Sequence, residues 1–303
     1  MYYLKRIAFL VPLVLLISLL AFVLVRVAPG GPFDRERKAS PDIERNIKAK
    51  YHLDEPIWKQ YLRFLGGMVQ GDFGPSLKYR NHSVTDIIAQ ALPISLTLGL
   101  LAFGFALGLG ILLGFLSAAQ KGGWTDYAGS FIALIAVCVP AFIVGPLLVM
   151  QLAVKWEIFP VALWKSPWHV ILPTITLGIY FAGKIARLLR EGMLNVLQSE
   201  FITTARAKGL SETQILLKHA LRLGVLPVVS YSGPLLADLL TGSFVVENLF
   251  QIPGIGVFMV NSSLNRDYTM VVGLVVLYAV LLLGLNLLVD FIYSLLDPRV
   301  RYE

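Results

Sequence analysis

Six stretches of this chain are apolar for long enough to cross a membrane: about 7–27, 92–119, 128–154, 169–189, 225–247 and 269–296. A bilayer core is about 30 Å thick, which takes about 20 helical residues at about 1.5 Å each. Hydrocarbon offers no water to satisfy a free N–H or C=O, so stretches of this length span as helices. The expected fold is an all-α membrane protein with six transmembrane helices. Pro140, Pro146, Pro173 and Pro234 fall inside these stretches and are expected to kink the helices without ending them. Composition agrees, since 56% of the 303 residues are hydrophobic and only 15% charged, against about 25% charged in soluble domains.

Lys5 and Arg6 precede the first stretch, as they would in a cleaved leader. The apolar run from Ile7 to Val25 is longer than a leader's apolar core, and Ala28-Pro29 is a poor cleavage site, so a retained helix is expected. Six spans put both termini on one side. The segment from Lys184 to Arg222 carries Lys184, Arg187, Arg190, Arg206, Lys208, Lys218 and Arg222 against Glu191, Glu200 and Glu212. Segments 155–168 and 248–267 are nearly neutral. Basic residues gather in cytoplasmic loops, which places that segment, the turn 121–127 and both termini in the cytoplasm. The net charge of +7 has the same origin; no basic patch interleaved with aromatics points to nucleic acid.

Three parts follow: a first transmembrane helix at 1–28, a periplasmic helical segment at 29–91, and a five-helix core at 92–303 with a cytoplasmic loop at 190–224. In the outer segment, Ser40, Pro41 and Asp42 read as a helix start. A second helix after Pro56 carries Ile57, Trp58, Tyr61, Leu62, Leu65, Met68 and Val69 on one apolar stripe. Such a stripe either lies flat on lipid or on the core, or docks a soluble partner. Gly104 and Gly108, then Gly110 and Gly114, are four apart on the second span, a spacing that lets helix backbones approach closely.

Several chemistries are excluded. Gly178-Ile-Tyr-Phe-Ala-Gly183-Lys184 imitates a phosphate-binding loop, but Ile185 stands where a hydroxyl would hold magnesium, and the setting is a transmembrane helix. The chain is therefore expected not to hydrolyse ATP and to bind no cofactor. His52, His82, His169 and His219 have no metal-ligand spacing, and no Gly-x-Ser-x-Gly elbow occurs. The lone Cys138 can form no internal disulfide and reads as a small buried hydrophobe.

The most informative polar stretch runs from Glu200 to Arg222. Gly209 reads as a left-handed helix cap, and Ser211 with Gln214 has capping-box spacing for the next helix. Small Ala205 and Ala207 precede the bend. By its residues alone this is either a solvated hairpin or a short helix that inserts into another protein's groove.

The segment resembles the cytoplasmic coupling loop, the EAA loop, of binding-protein-dependent ABC importer permeases. Thr203-Thr204-Ala205 stands where the general pattern has Glu-Ala-Ala, with Gly209 as its glycine. Ala-Arg-Ala-Lys-Gly-Leu at 205–210 and His-Ala-Leu-Arg at 219–222 are similar to the peptide and nickel branch. So are Arg26-Val-Ala-Pro-Gly-Gly-Pro, Gly71-Asp-Phe-Gly-Pro-Ser, Val246-Glu-Asn-Leu-Phe-Gln-Ile-Pro-Gly-Ile-Gly256, Asn265-Arg-Asp-Tyr and Leu296-Asp-Pro-Arg-Val-Arg-Tyr302. Residues 71–80 look most like the B-type permease subunits of oligopeptide importers.

The resemblance implies a type I importer, MetI-like permease fold. It further implies a heterodimer with a second homologous permease, two ATPase subunits that use ATP and magnesium, and a periplasmic peptide-binding protein. Thr203, Thr204, Ala205, Arg206, Ala207, Lys208, Gly209 and Leu210 would sit in the ATPase groove. Asp238, costly inside the fifth span by about 2.5–3.5 kcal/mol, either lines the translocation path or is a buried hydrogen-bonded carboxyl. Asn286 and Asp290 share a face of the last span, with Asp290 suited to a structural pairing with a basic neighbour. Glu247 could cap the Pro253 turn or face the binding protein. A dipeptide, nickel or other small-solute permease is the alternative within the branch. An ion-coupled transporter would want ion sites and repeated halves, of which the sequence offers only Asp238.

Overall fold

The computed structural model describes residues 2–28, 54–79, 82–241 and 244–296. The helix start at Ser40 to Asp42 lies outside them. In chain order the helices are α1 (Tyr2–Val27), α2 (Ile57–Val69), α3 (Val84–Ala119), α4 (Trp124–Cys138) and α5 (Ala141–Leu148). They continue as α6 (Trp168–Leu197), α7 (Glu200–Ala207), α8 (Glu212–Gln214), α9 (Leu221–Gly224), α10 (Leu226–Thr241), α11 (Phe244–Leu249), α12 (Ile255–Asn265) and α13 (Tyr268–Leu296). π-helical turns extend α5 over Val149–Lys155 and join α8 to α9 over Ile215–Ala220. Five helical stretches are long and apolar enough to span, and six if a bent pair counts as one.

That pair is α4 and α5, the expected third span. Its helices meet at 107°, so Pro140 ends a helix instead of kinking it. Proline has no N–H and pushes the preceding residue out of the helical region. Val139 accordingly sits at φ −90° and ψ 118°. Pro146, Pro173 and Pro234 do lie inside helices. Cys138, the last residue of α4, is exposed and not buried. It lies off the face of Ala133 and Ala136, which meet Gly183 of α6.

The chain divides into two compact units. One comprises Met1–Ser95 with Pro253–Gly284. Here Val84, Ile87, Ile88 and Ala91 of α3 bury against Ile255, Met270 and Leu274. The expected stripe of α2 is split. Tyr61, Phe64 and Met68 pack near Phe22 of α1, with the Tyr61 and Phe22 rings 5.2 Å apart, and the Tyr61 hydroxyl lies 2.9 Å from that of Ser18. Ile57, Trp58, Leu62 and Val69 remain exposed. Two of the sequence motifs meet in this unit. The buried carboxylate of Asp267 accepts from the Ser76 hydroxyl and the Lys78 N–H, and also from the Met270 N–H at the start of α13. Asn265-Arg-Asp-Tyr thereby fastens Gly71-Asp-Phe-Gly-Pro-Ser.

The second unit comprises Leu96–Ile252 with Leu285–Arg301 and is organised around α6. At 30 residues this helix is about 45 Å long, so it projects well past the expected span end at 189. Glycines set its contacts. A Cβ on Gly110 or Gly114 of α3 would fall 2.8 Å from the Ala182 carbonyl oxygen or 2.6 Å from that of Ala186. Gly104 and Gly108 have no such neighbour among the described residues, so only the second glycine pair makes a close approach. Gly178 and Gly183, from the false phosphate loop, abut the backbone of Ala102 and Ala133 instead.

Asp126, 5% exposed, fixes the turn before α4 to α6. It accepts from Arg190 Nε at 2.6 Å and Arg190 Nη2 at 2.8 Å, and from the Gly122 N–H at 2.9 Å. Breaking a closed pair from one side costs about 3–5 kcal/mol; Arg190 can rehydrate, so about 2–3 is expected for Asp126→Ala. Thermal unfolding of the detergent-solubilised protein checks this, and an unchanged Tm would refute it.

Candidate coupling and translocation sites

The basic loop between α6 and α10 folds as its residues suggest. Helix α7 ends in a Schellman motif: Gly209 takes φ +82°, its N–H donates to the Arg206 carbonyl, and the Leu210 N–H donates to the Ala205 carbonyl. Ser211 then caps α8 with the expected capping box, accepting from the Gln214 N–H while its own N–H donates to Gln214 Oε1. Arg206 closes the bend on both oxygens of Glu212, at 2.7 and 3.2 Å. Hydrogen bonding to Arg206 holds the Glu212 carboxyl below its ordinary pKa.

This hairpin is rooted at two points and bare at its tip. Ile202 and Ile215 are fully buried. Thr203, Thr204, Arg206, Ala207, Lys208 and Gly209 are exposed, with Ala205 and Leu210 half-buried. A cleft of about 430 Å³ beside it is lined by Lys121, Gln198, Arg206, Glu212 and Leu216. The site is a rigid protruding knob with a basic rim.

The polar residues of the spans lie elsewhere. Asp238 is exposed on α10, in a stripe with Pro227, Ser230 and Pro234, while Val228, Leu235, Ala237 and Leu239 bury the opposite face. Asn286 is half-buried on α13, and the side chain of Asp290 lies outside the described residues. Glu247 is fully buried on α11, so it presents nothing to an outside partner. Charge counting grouped Lys184, Arg187 and Arg190 with the loop, and all three lie in α6. Lys184 belongs to the interior of α6, its ammonium 4.5 Å from the Tyr180 ring centroid and 5.9 Å from that of Tyr231 on α10. Lysine and tyrosine one turn apart in Tyr180-Phe-Ala-Gly-Lys184 were the available signal. Among the described residues no group of His, Cys, Asp and Glu could hold a metal.

Comparison with known proteins accords with this geometry. Residues 110–302 match the family of binding-protein-dependent transport system inner membrane components, and residues 1–99 match the N-terminal family of the same components. The oligopeptide transport system permease protein OppB of Haemophilus influenzae is 43% identical, over 98% of each chain. The dipeptide transport system permease protein DppB of Bacillus subtilis is 42% identical, over 99% of this chain and 97% of the relative. In fold, the chain is similar to the inward-facing MetNI methionine ABC transporter, with a TM-score of 0.57 at 19% identity, covering 71% of this chain and 97% of the other. An amino acid ABC transporter follows at 0.53 and 14%, covering 71% and 95%. The MetI-like helical fold is thus the one expected. This chain belongs to the family of binding-protein-dependent transport system inner membrane components, and it is a membrane permease subunit of an ABC transporter.

Proposed function

We propose that the chain is one half of the membrane channel of an ATP-driven importer of oligopeptides. The observation that carries this reading is the exposed hairpin at 203–210, built as a rigid knob with buried roots. A knob of that kind transmits force only if it is seated in a second protein. The seat is a groove in an ATPase subunit, and residues 203–210 are the contact. Two such subunits bind ATP and magnesium, while this chain binds neither. A second homologous permease completes a heterodimer, and a periplasmic binding protein delivers the peptide. The basic loop and both termini are cytoplasmic, in keeping with the positive-inside rule. ATP-driven closure of the ATPases then rocks the helices between two access states.

Asp238 and Asn286 line the path in this reading. A carboxylate on the outer face of a spanning helix is costly in lipid and suits a water-filled cavity or a partner subunit. The near-equal identity to oligopeptide and dipeptide permeases supports peptides as the substrate class. The test is expression of the whole operon, gentle solubilisation and measurement of uptake. Recovery of a second permease and two ATPases, with uptake that needs ATP, is the expected result. A chain that purifies alone and transports without ATPase subunits would overturn the proposal.

A further inference from the structure

We infer that Lys184 and Asp238 form two charge stations of the path, one for the carboxylate and one for the ammonium of a short zwitterionic peptide. The inference rests on the peptide-importer reading above. Lys184 sits in the interior of α6, where an ammonium is costly by any insertion scale. A lysine near the inner end of a span ordinarily snorkels towards that end. This one leans back over Tyr180, one turn towards the other end, and against Tyr231 of the neighbouring helix. The two ring faces stabilise the cation without neutralising it. Among the described residues no carboxylate pairs with it. The site therefore keeps a full positive charge, held by aromatic walls and available to an incoming anion.

Asp238 supplies the opposite sign on the same helix as Tyr231. Seven residues separate them, two helical turns, so they share a face about 10 Å apart along the axis. Asp238 is exposed there, with Pro234 between the two positions on the same bare stripe. An extended peptide covers about 3.3–3.6 Å per residue, so about three residues match the spacing from Tyr231, beside Lys184, to Asp238. The arrangement fits any side chains, because only the two termini are read. It also fits loose holding, since Lys184 is half-buried and Asp238 is exposed.

The test uses the complete complex with its binding protein, reconstituted in liposomes. Uptake is measured for a neutral tripeptide with free termini, the same peptide C-amidated, and the same peptide N-acetylated. Each is expressed as the ratio of variant to wild type, which cancels the binding protein's own selection. For Lys184→Gln the ratio is expected to fall about tenfold for the free peptide and to stay near one for the amide, with Lys184→Arg restoring uptake. For Asp238→Asn the ratio is expected to fall for the free peptide and to stay near one for the acetylated form. Equal losses for blocked and free peptides, or no loss at all, would overturn the inference. If Lys184→Gln does not assemble, the Asp238→Asn arm decides by the same criterion. Absence of any peptide uptake by the wild-type complex would instead remove the importer reading itself.

Discussion

Gly209→Pro is expected to abolish ATP-coupled uptake, by about a hundredfold or more, while the chain still inserts and its helices still assemble. Proline locks φ near −65°, whereas the bend needs +82°. It also removes the N–H that donates to the Arg206 carbonyl. Both defects fall on the same residue, so the Schellman cap cannot form and α7 loses its fixed angle to α8. A cost of about 3 kcal/mol or more, converted at about 1.4 kcal/mol per factor of ten, gives the expected loss. A graded series separates geometry from mere alteration. Alanine must enter the left-handed region at about 1–2 kcal/mol and is expected to leave partial uptake, whereas asparagine tolerates that region better and should leave more. The buried anchors Ile202 and Ile215 are untouched in every variant, so assembly is the internal control. Proline uptake equal to wild type would show that the bend does not carry coupling.

Local grammar was legible in the sequence, and distant pairing was not. The capping box at Ser211 and the glycine cap at 209 are set by residues within a few positions of each other, so spacing alone found them. The break at Pro140 was within reach, because a residue before proline is biased to extended backbone; an apolar run long enough to span concealed it. Asp126 meets Arg190 across 64 positions, and Asp267 meets Ser76 across 191. No periodicity encodes such pairs. Charge counting grouped Arg190 with the loop, yet it lies in α6, which keeps its helix beyond the apolar stretch and packs there against α9 and α10. The glycine pairs show the same limit. Spacing identified both, but among the described residues only the pair facing α6 makes a backbone contact.

Gly192→Leu is expected to be the most damaging single substitution in the chain's own fold. Gly192 of α6 faces Gly224 at the end of α9, and a Cβ there would overlap the Gly224 carbonyl. The reverse contact is also too close, since a Cβ on Gly224 would meet the Met193 nitrogen at 2.7 Å and its Cα at 2.8 Å. The atoms in the way are backbone, so no side chain can rotate aside. Relief requires moving one helix, and the helix that can move is α9, which joins the hairpin to α10. Overpacking ordinarily costs about 1–3 kcal/mol, and this case lies at or beyond the upper end. At about 3 kcal/mol, the Tm of a chain this size would fall by about 6–12 °C. Gly104→Leu and Gly108→Leu are the matched controls, with the same added volume on α3 and open space to receive it. They should leave the isolated chain's Tm nearly unchanged. Similar Tm losses at all three positions would mean that added bulk in a span, and not the α6–α9 contact, sets the cost. A loss confined to Gly192 would mean that the hairpin's mounting on α6 is a backbone contact with no slack.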